Sequence, residues 1–106
     1  MKFLVVLLVS VISFNATAVS PTSTGKIGGI RIEGTTGLIS LPQNVNDGSR
    51  ECSRVWVDLT KDFDRAAYST FMMAFAADKT VSIRAESNGS TRYGACDFYD
   101  VYIPRD

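Results

Sequence analysis

Apolar and polar residues alternate in several short runs of this chain, and period-two alternation is the mark of a strand buried on one face. The clearest run is Cys52–Leu59 (CSRVWVDL). Val55, Val57 and Leu59 fall on one side; Arg54, Trp56 and Asp58 fall on the other. Thr80–Glu86 (TVSIRAE) repeats the pattern, with Val81, Ile83 and Ala85 inward and Ser82, Arg84 and Glu86 outward. A last strand is expected from about Tyr93 to Ile103, where Tyr99, Val101 and Ile103 alternate with Phe98, Asp100 and Tyr102 and Pro104 ends the run. Lys26–Glu33 (KIGGIRIE) is a weaker strand in which Gly28 and Gly29 predict a bulge or bend. After the turn Gly34-Thr35-Thr36-Gly37, Leu38–Leu41 forms a short strand stopped by Pro42, and Gln43–Arg50 reads as a polar loop. Asn88-Gly89 is a strong hairpin signal between the last two strands.

Between the third and fourth strands the period changes to that of a helix. Thr60 and Asp62 are acceptable N-caps, and Asp62 and Asp64 suit the positive end of a helix that runs to about Ala77. On a wheel, Phe63, Ala67, Phe71, Ala74 and Phe75 share one arc, with Tyr68 at its border, which predicts the core stripe. The opposite arc holds Arg65 and Ser69 but also Met72, Met73 and Ala76. A helix that stays apolar behind its core face predicts a second covered surface, most simply another subunit.

The element order is therefore β-β-β-α-β-β, mainly β with one helix. That order predicts an OB-fold-like five-stranded barrel, with a plain α+β sandwich as the alternative. A closed barrel leaves no free edges, which suits a short chain.

Residues 1–18 (MKFLVVLLVSVISFNATA) do not belong to that pattern. Lys2 precedes an apolar run from Phe3 to Phe14, and Ala16-Thr17-Ala18 offers small residues where a signal peptidase reads. This predicts a signal peptide cleaved between Ala18 and Val19, and a secreted or periplasmic product. The run is too short for the roughly 20 residues of a membrane span. Residues 19–25 are Ser/Thr/Pro-rich and read as a loose tail, and residues 26–106 as the folded domain.

Export changes the reading of the cysteines. Cys52 and Cys96 are the only two, and in an oxidising compartment they predict a disulfide rather than a redox pair, because no Cys-x-x-Cys motif is present. The bridge would close a loop of about 45 residues, worth roughly 4 kcal/mol in the chain-entropy model.

Composition then narrows the chemistry. The 106 residues carry 11 Lys+Arg, 11 Asp+Glu and no His. Without His a Ser-His-Asp or Cys-His arrangement is impossible, and no metal or cofactor site is expected. Carboxylate pairs remain, such as Asp97 with Asp100 or Asp58 with Glu33, but they are interleaved with Arg and Lys and read as solvated surface charge. The balanced charge provides no electrostatic footprint for nucleic acid. What remains is a non-catalytic binding role. A sugar ring presents an apolar face and a hydroxyl rim, so it needs an aromatic platform with a few polar groups. Trp56 with Arg54 and Asp58, together with Arg84, Tyr93, Tyr99 and Tyr102, are the candidate ligand-binding residues. Packing within strands is the competing reason for aromatic residues at such positions.

The segment Arg65–Arg84 (RAAYSTFMMAFAADKTVSIR) carries a resemblance. A helix with Tyr-Ser and a small-residue stretch, a turn with Lys, and a Val-x-Ile-Arg strand are similar to the corresponding part of subtilase-cytotoxin-type B subunits. With its size, strand order and single cysteine pair, the chain resembles the B subunits of pentameric bacterial toxins and related small exported proteins of unknown function. The resemblance implies a homo-pentamer with helices facing its pore, a glycan or glycoprotein ligand, sialylated in that family, and a separate catalytic subunit. Arg65, Ser69, Met72, Met73 and Ala76 would be the oligomer interface. None of the family's sugar-contacting positions matches this sequence. The alternative is an exported interaction or inhibitor module without a sugar site.

Overall fold

The computed structural model describes residues 20–105. The expected signal peptide and its cleavage point lie outside them. Six strands and one helix follow in the order β1 (Thr22–Lys26), β2 (Gly29–Glu33), β3 (Thr36–Asn46), β4 (Glu51–Asp58), α1 (Asp62–Ala76), β5 (Thr80–Ala85) and β6 (Cys96–Tyr102). They form one mixed sheet ordered β1-β5-β6-β4-β3-β2. Every neighbouring pair is antiparallel except β4 and β6, which run parallel with Val55 opposite Cys96 and Trp56 opposite Asp97.

This corrects the expected closed five-stranded barrel: the sheet is an open, curled half-barrel. Its two edge strands, β1 and β2, are joined by only Ile27 and Gly28. Thr22–Lys26, expected largely within a loose tail, forms β1 by pairing along β5 from Thr22↔Arg84 to Lys26↔Thr80. No ladder joins β1 to β3. The buried Ser23 bridges them instead: its Oγ donates to the Gln43 carbonyl and accepts from the Gln43 N–H, both at 2.8 Å. Pro42, beside this seam, has no N–H to offer a ladder.

Nor does Pro42 stop β3, which continues to Asn46. The register against β4 shifts between Ser40 and Val45, so Pro42 lies in an irregularity where no ladder bond is required of it. A second shift lies between β5 and β6, where Asp100 faces Arg84 and Phe98 faces Ala85. Tyr99 is the extra residue. Around this bulge Phe98 turns into the core and Tyr99 out to solvent.

One core fills the inner side of the sheet. It includes Ile39, Val55, Val57, Val81, Ile83 and Phe98 from the strands and Ala67, Tyr68, Phe71 and Ala74 from α1. Phe71 meets Phe98 edge to face, with ring centroids 5.4 Å apart. Gly37 makes room for the Tyr68 ring: a Cβ there would stand 2.7 Å from Tyr68 Cδ1. Cys52 and Cys96 are joined by a disulfide inside this core, with Cα atoms 5.8 Å apart. The buried residues of the helix are Ala67, Tyr68, Phe71 and Ala74. Phe63 and Phe75, expected in the core stripe, are exposed in the first and last turns. The helix begins after Lys61, which makes no side-chain cap. No helix among the described residues is long and apolar enough to cross a membrane.

Candidate functional site

The outer face of β4 is also covered. Trp56 packs with Leu38 and Ala95 in a second, small cluster and is only 7% exposed. Its Nε1 donates to the Ser90 carbonyl at 3.0 Å, and the Arg92 guanidinium lies 4.3 Å from its ring centroid. The segment between β5 and β6 thus folds back as a lid. Arg54 donates to the Tyr93 carbonyl within the same lid, where Tyr93 has a left-handed backbone, with φ 51°. Asp58 accepts from the Thr60 N–H at 3.0 Å and from its hydroxyl at 2.6 Å, which turns the chain from β4 into α1. Those bonds hold the Asp58 carboxyl below its ordinary value. Four of the candidate ligand residues (Arg54, Trp56, Asp58 and Tyr93) therefore bond the fold together and do not form one platform.

Two concave sites adjoin Tyr99. The first, about 450 Å³, is lined by Thr22, Ser82, Arg84, Asp100, Val101 and Tyr102. Arg84 is already engaged there: its Nε donates to Asp100 Oδ1 at 2.8 Å and its Nη2 to Oδ2 at 2.5 Å. The pairing lowers the Asp100 pKa and raises that of Arg84. Tyr99 stacks on the same guanidinium, 5.0 Å from Cζ to ring centroid. Tyr102, 63% exposed, borders this groove.

The second site is a groove of about 510 Å³ between the start of α1, β6 and the turn after β5. Phe63, Phe98 and Tyr99 supply its aromatic surface, and Asp64, Glu86 and Asp97 its carboxylates. Phe63 stacks on Phe98, with centroids 6.0 Å apart, yet remains 62% exposed. Asp64 is anchored from behind, its Oδ2 accepting the Asp58 N–H at 2.7 Å. Gly89 lets the turn close onto the groove: a Cβ there would stand 2.6 Å from Asp97 Cβ and 2.9 Å from Glu86 Cβ. Burial pushes the Asp97 carboxyl up, and the charges of Glu86 and Asp64 add to the shift. Lys61 and Ser90 also line the groove.

The structure thus brings Tyr99 and Trp56 to this groove, places Arg84 and Tyr102 in the other, and leaves Arg54 and Asp58 on β4, bonded to Tyr93 in the lid and to Thr60 before α1. Sequence reasoning missed Phe63 and Asp64 as groove residues. Their helical spacing signalled only a core position and a favourable charge. Within the expected oligomer interface, Arg65 pairs with Asp62 and donates to the Leu59 carbonyl at 3.2 Å. Ser69, Met72, Met73 and Ala76 remain exposed. Comparisons with protein-family models, curated proteins and solved structures find no match to this chain.

Proposed function

We propose that this is an exported, non-catalytic binding protein, similar in role to a toxin B subunit, that recognises glycans or glycoproteins through the groove between α1 and β6. The observation that carries the reading is the pairing of two exposed aromatic rings, Phe63 and Tyr99, with the carboxylates of Asp64, Glu86 and Asp97 in one concave site. Aromatic faces take the apolar face of a sugar ring, and carboxylates accept from its hydroxyls. Three carboxylates oppose an acidic sugar, so neutral glycans should bind ahead of sialylated ones. A glycan array probed with folded, oxidised protein tests the reading. Signal on neutral glycans supports it; silence on neutral and sialylated glycans alike sinks it.

The exposed Met72 and Met73 support a second element, assembly of several copies through α1, in the manner of a pentamer that carries a separate catalytic subunit. The same methionines favour the alternative of an interaction or inhibitor module without a sugar site. Native mass spectrometry separates these readings: a pentamer favours the first, a monomer the second.

A further inference from the structure

The disulfide has a buried acidic neighbour that the binding role does not use. Asp47 is 2% exposed. Its Oδ1 accepts the backbone N–H groups of Ser49 at 2.8 Å and Arg50 at 3.0 Å. Its own backbone is held on both sides, the N–H donating to the Arg50 carbonyl at 3.0 Å and the carbonyl accepting from the Asn88 N–H at 2.7 Å. Oδ2 points at the disulfide and lies 3.4 Å from Cys96 Sγ. A disulfide sulfur carries no proton, so this contact supplies Oδ2 with no hydrogen bond. Buried carboxylate oxygens normally have a donor, and one aimed at two sulfurs calls for another partner. Asp47 Oδ2 and the two sulfurs lie within 4.8 Å of one another, and all three residues are buried.

We propose that reduction of Cys52–Cys96 converts this cluster into a buried site for a thiophilic divalent cation such as zinc, with Asp47 and the two cysteine thiolates as ligands. A dithiol reductant supplies two electrons and two protons and leaves as its own disulfide. The Cys52–Cys96 bond breaks and two thiols form. The cation then displaces the two thiol protons to solvent and gains two metal–sulfur bonds and one metal–oxygen bond. Two thiolates and a carboxylate are a ligand set for tetrahedral zinc, with a water in the fourth position, once the two sulfurs, released from their bond, move apart around the ion. The two N–H groups on Oδ1 do for the carboxylate what hydrogen-bonded neighbours do for metal ligands generally: they fix its orientation. The site exists only in protein that has met a reductant.

Cobalt(II) titration of the full chain, reduced with a phosphine that does not compete for metal, tests this. The expected result is a thiolate-to-cobalt charge-transfer band that saturates at one ion per chain, is displaced by zinc, and is missing from the oxidised protein. Asp47→Asn should weaken cobalt binding at least tenfold, read by competition with a chromophoric chelator. A reduced chain that keeps its far-ultraviolet circular dichroism but shows no band at one equivalent overturns the proposal. So does an affinity unchanged in Asp47→Asn, because the thiolates would then act without the carboxylate. A reduced chain that unfolds and is not restored by the metal overturns it as well.

Discussion

The Arg92 guanidinium lies 4.3 Å from the centroid of the Trp56 ring, and together they close the outer face of β4. Trp56 is the only tryptophan, so its fluorescence reports this packing alone. Arg92→Ala should move the emission to longer wavelength as water reaches the ring, and should cost about 0.5–2 kcal/mol of stability. Trp56→Ala should cost about 3–5 kcal/mol, as other buried aromatic truncations do. Equilibrium denaturation checks both values, and a Trp56→Ala protein of wild-type stability would contradict a structural role for this ring.

Gly37 lies against the Tyr68 ring, where a Cβ would stand 2.7 Å from Tyr68 Cδ1. A Cβ at position 37 would also stand 2.9 Å from Val57 Cγ2, so neither neighbour can yield without disturbing the core. Gly37→Ala should therefore destabilise by about 1–3 kcal/mol, the range for overpacking. The same substitution at Gly34, where a Cβ meets nothing within 4 Å, isolates the cost of that position's positive φ. Thermal melts of the two variants make the comparison.

Asp97 gives the groove a pH signature. Its carboxyl is raised above the ordinary value in the folded chain, so the folded state holds the proton more tightly than the unfolded state. Stability from this group is present at low pH and is lost as pH rises through the interval between the two values. Asp97→Asn should raise the melting temperature at pH 7, and the gain should vanish once pH falls below the unfolded carboxylate value of about 3.9. Asp100 has the opposite sign. Its lowered value means that its stabilisation is present above the unfolded value and is lost as pH falls through the folded one. Melts of both Asn variants across the acid range distinguish the two behaviours.

The helix face makes a claim about assembly. Met72 and Met73 are 46% and 53% exposed on the side away from the core. Met72→Lys should convert any oligomer to monomer while leaving the thermal stability of the monomer within about 0.5 kcal/mol, as for other exposed substitutions. Sedimentation of both proteins is the check; an unchanged distribution removes Met72 from the interface.

Much of this architecture was legible in single segments. Val55 and Val57 turn inward from β4 as their alternation requires, and Cys52 and Cys96 are bridged. Ala67, Phe71 and Ala74 form the helix stripe. Features set by distant chain were not legible. The bulge that turns Tyr99 outward depends on the register of β6 against β5, which no local period records. Pro42 is tolerated because β4 demands no bond from it, and Thr22–Lys26 becomes a strand because β5 offers it an edge. Trp56 looked like a ligand platform because Arg54 and Asp58 flank it. Its burial follows from Ser90, Arg92 and Ala95, more than 30 residues away in sequence. Phe63 has the spacing of a core residue and stands exposed at the groove because the first helical turn is not buried.

Calorimetric titration of neutral and sialylated oligosaccharides into the oxidised wild-type protein and into Tyr99→Ala tests the central claim most directly. The account predicts binding of a neutral glycan by the wild type, weaker binding of its sialylated counterpart, and at least a tenfold loss in Tyr99→Ala with the fold intact. Absence of heat from every glycan, or equal affinity in Tyr99→Ala, would contradict a sugar site in the groove between α1 and β6.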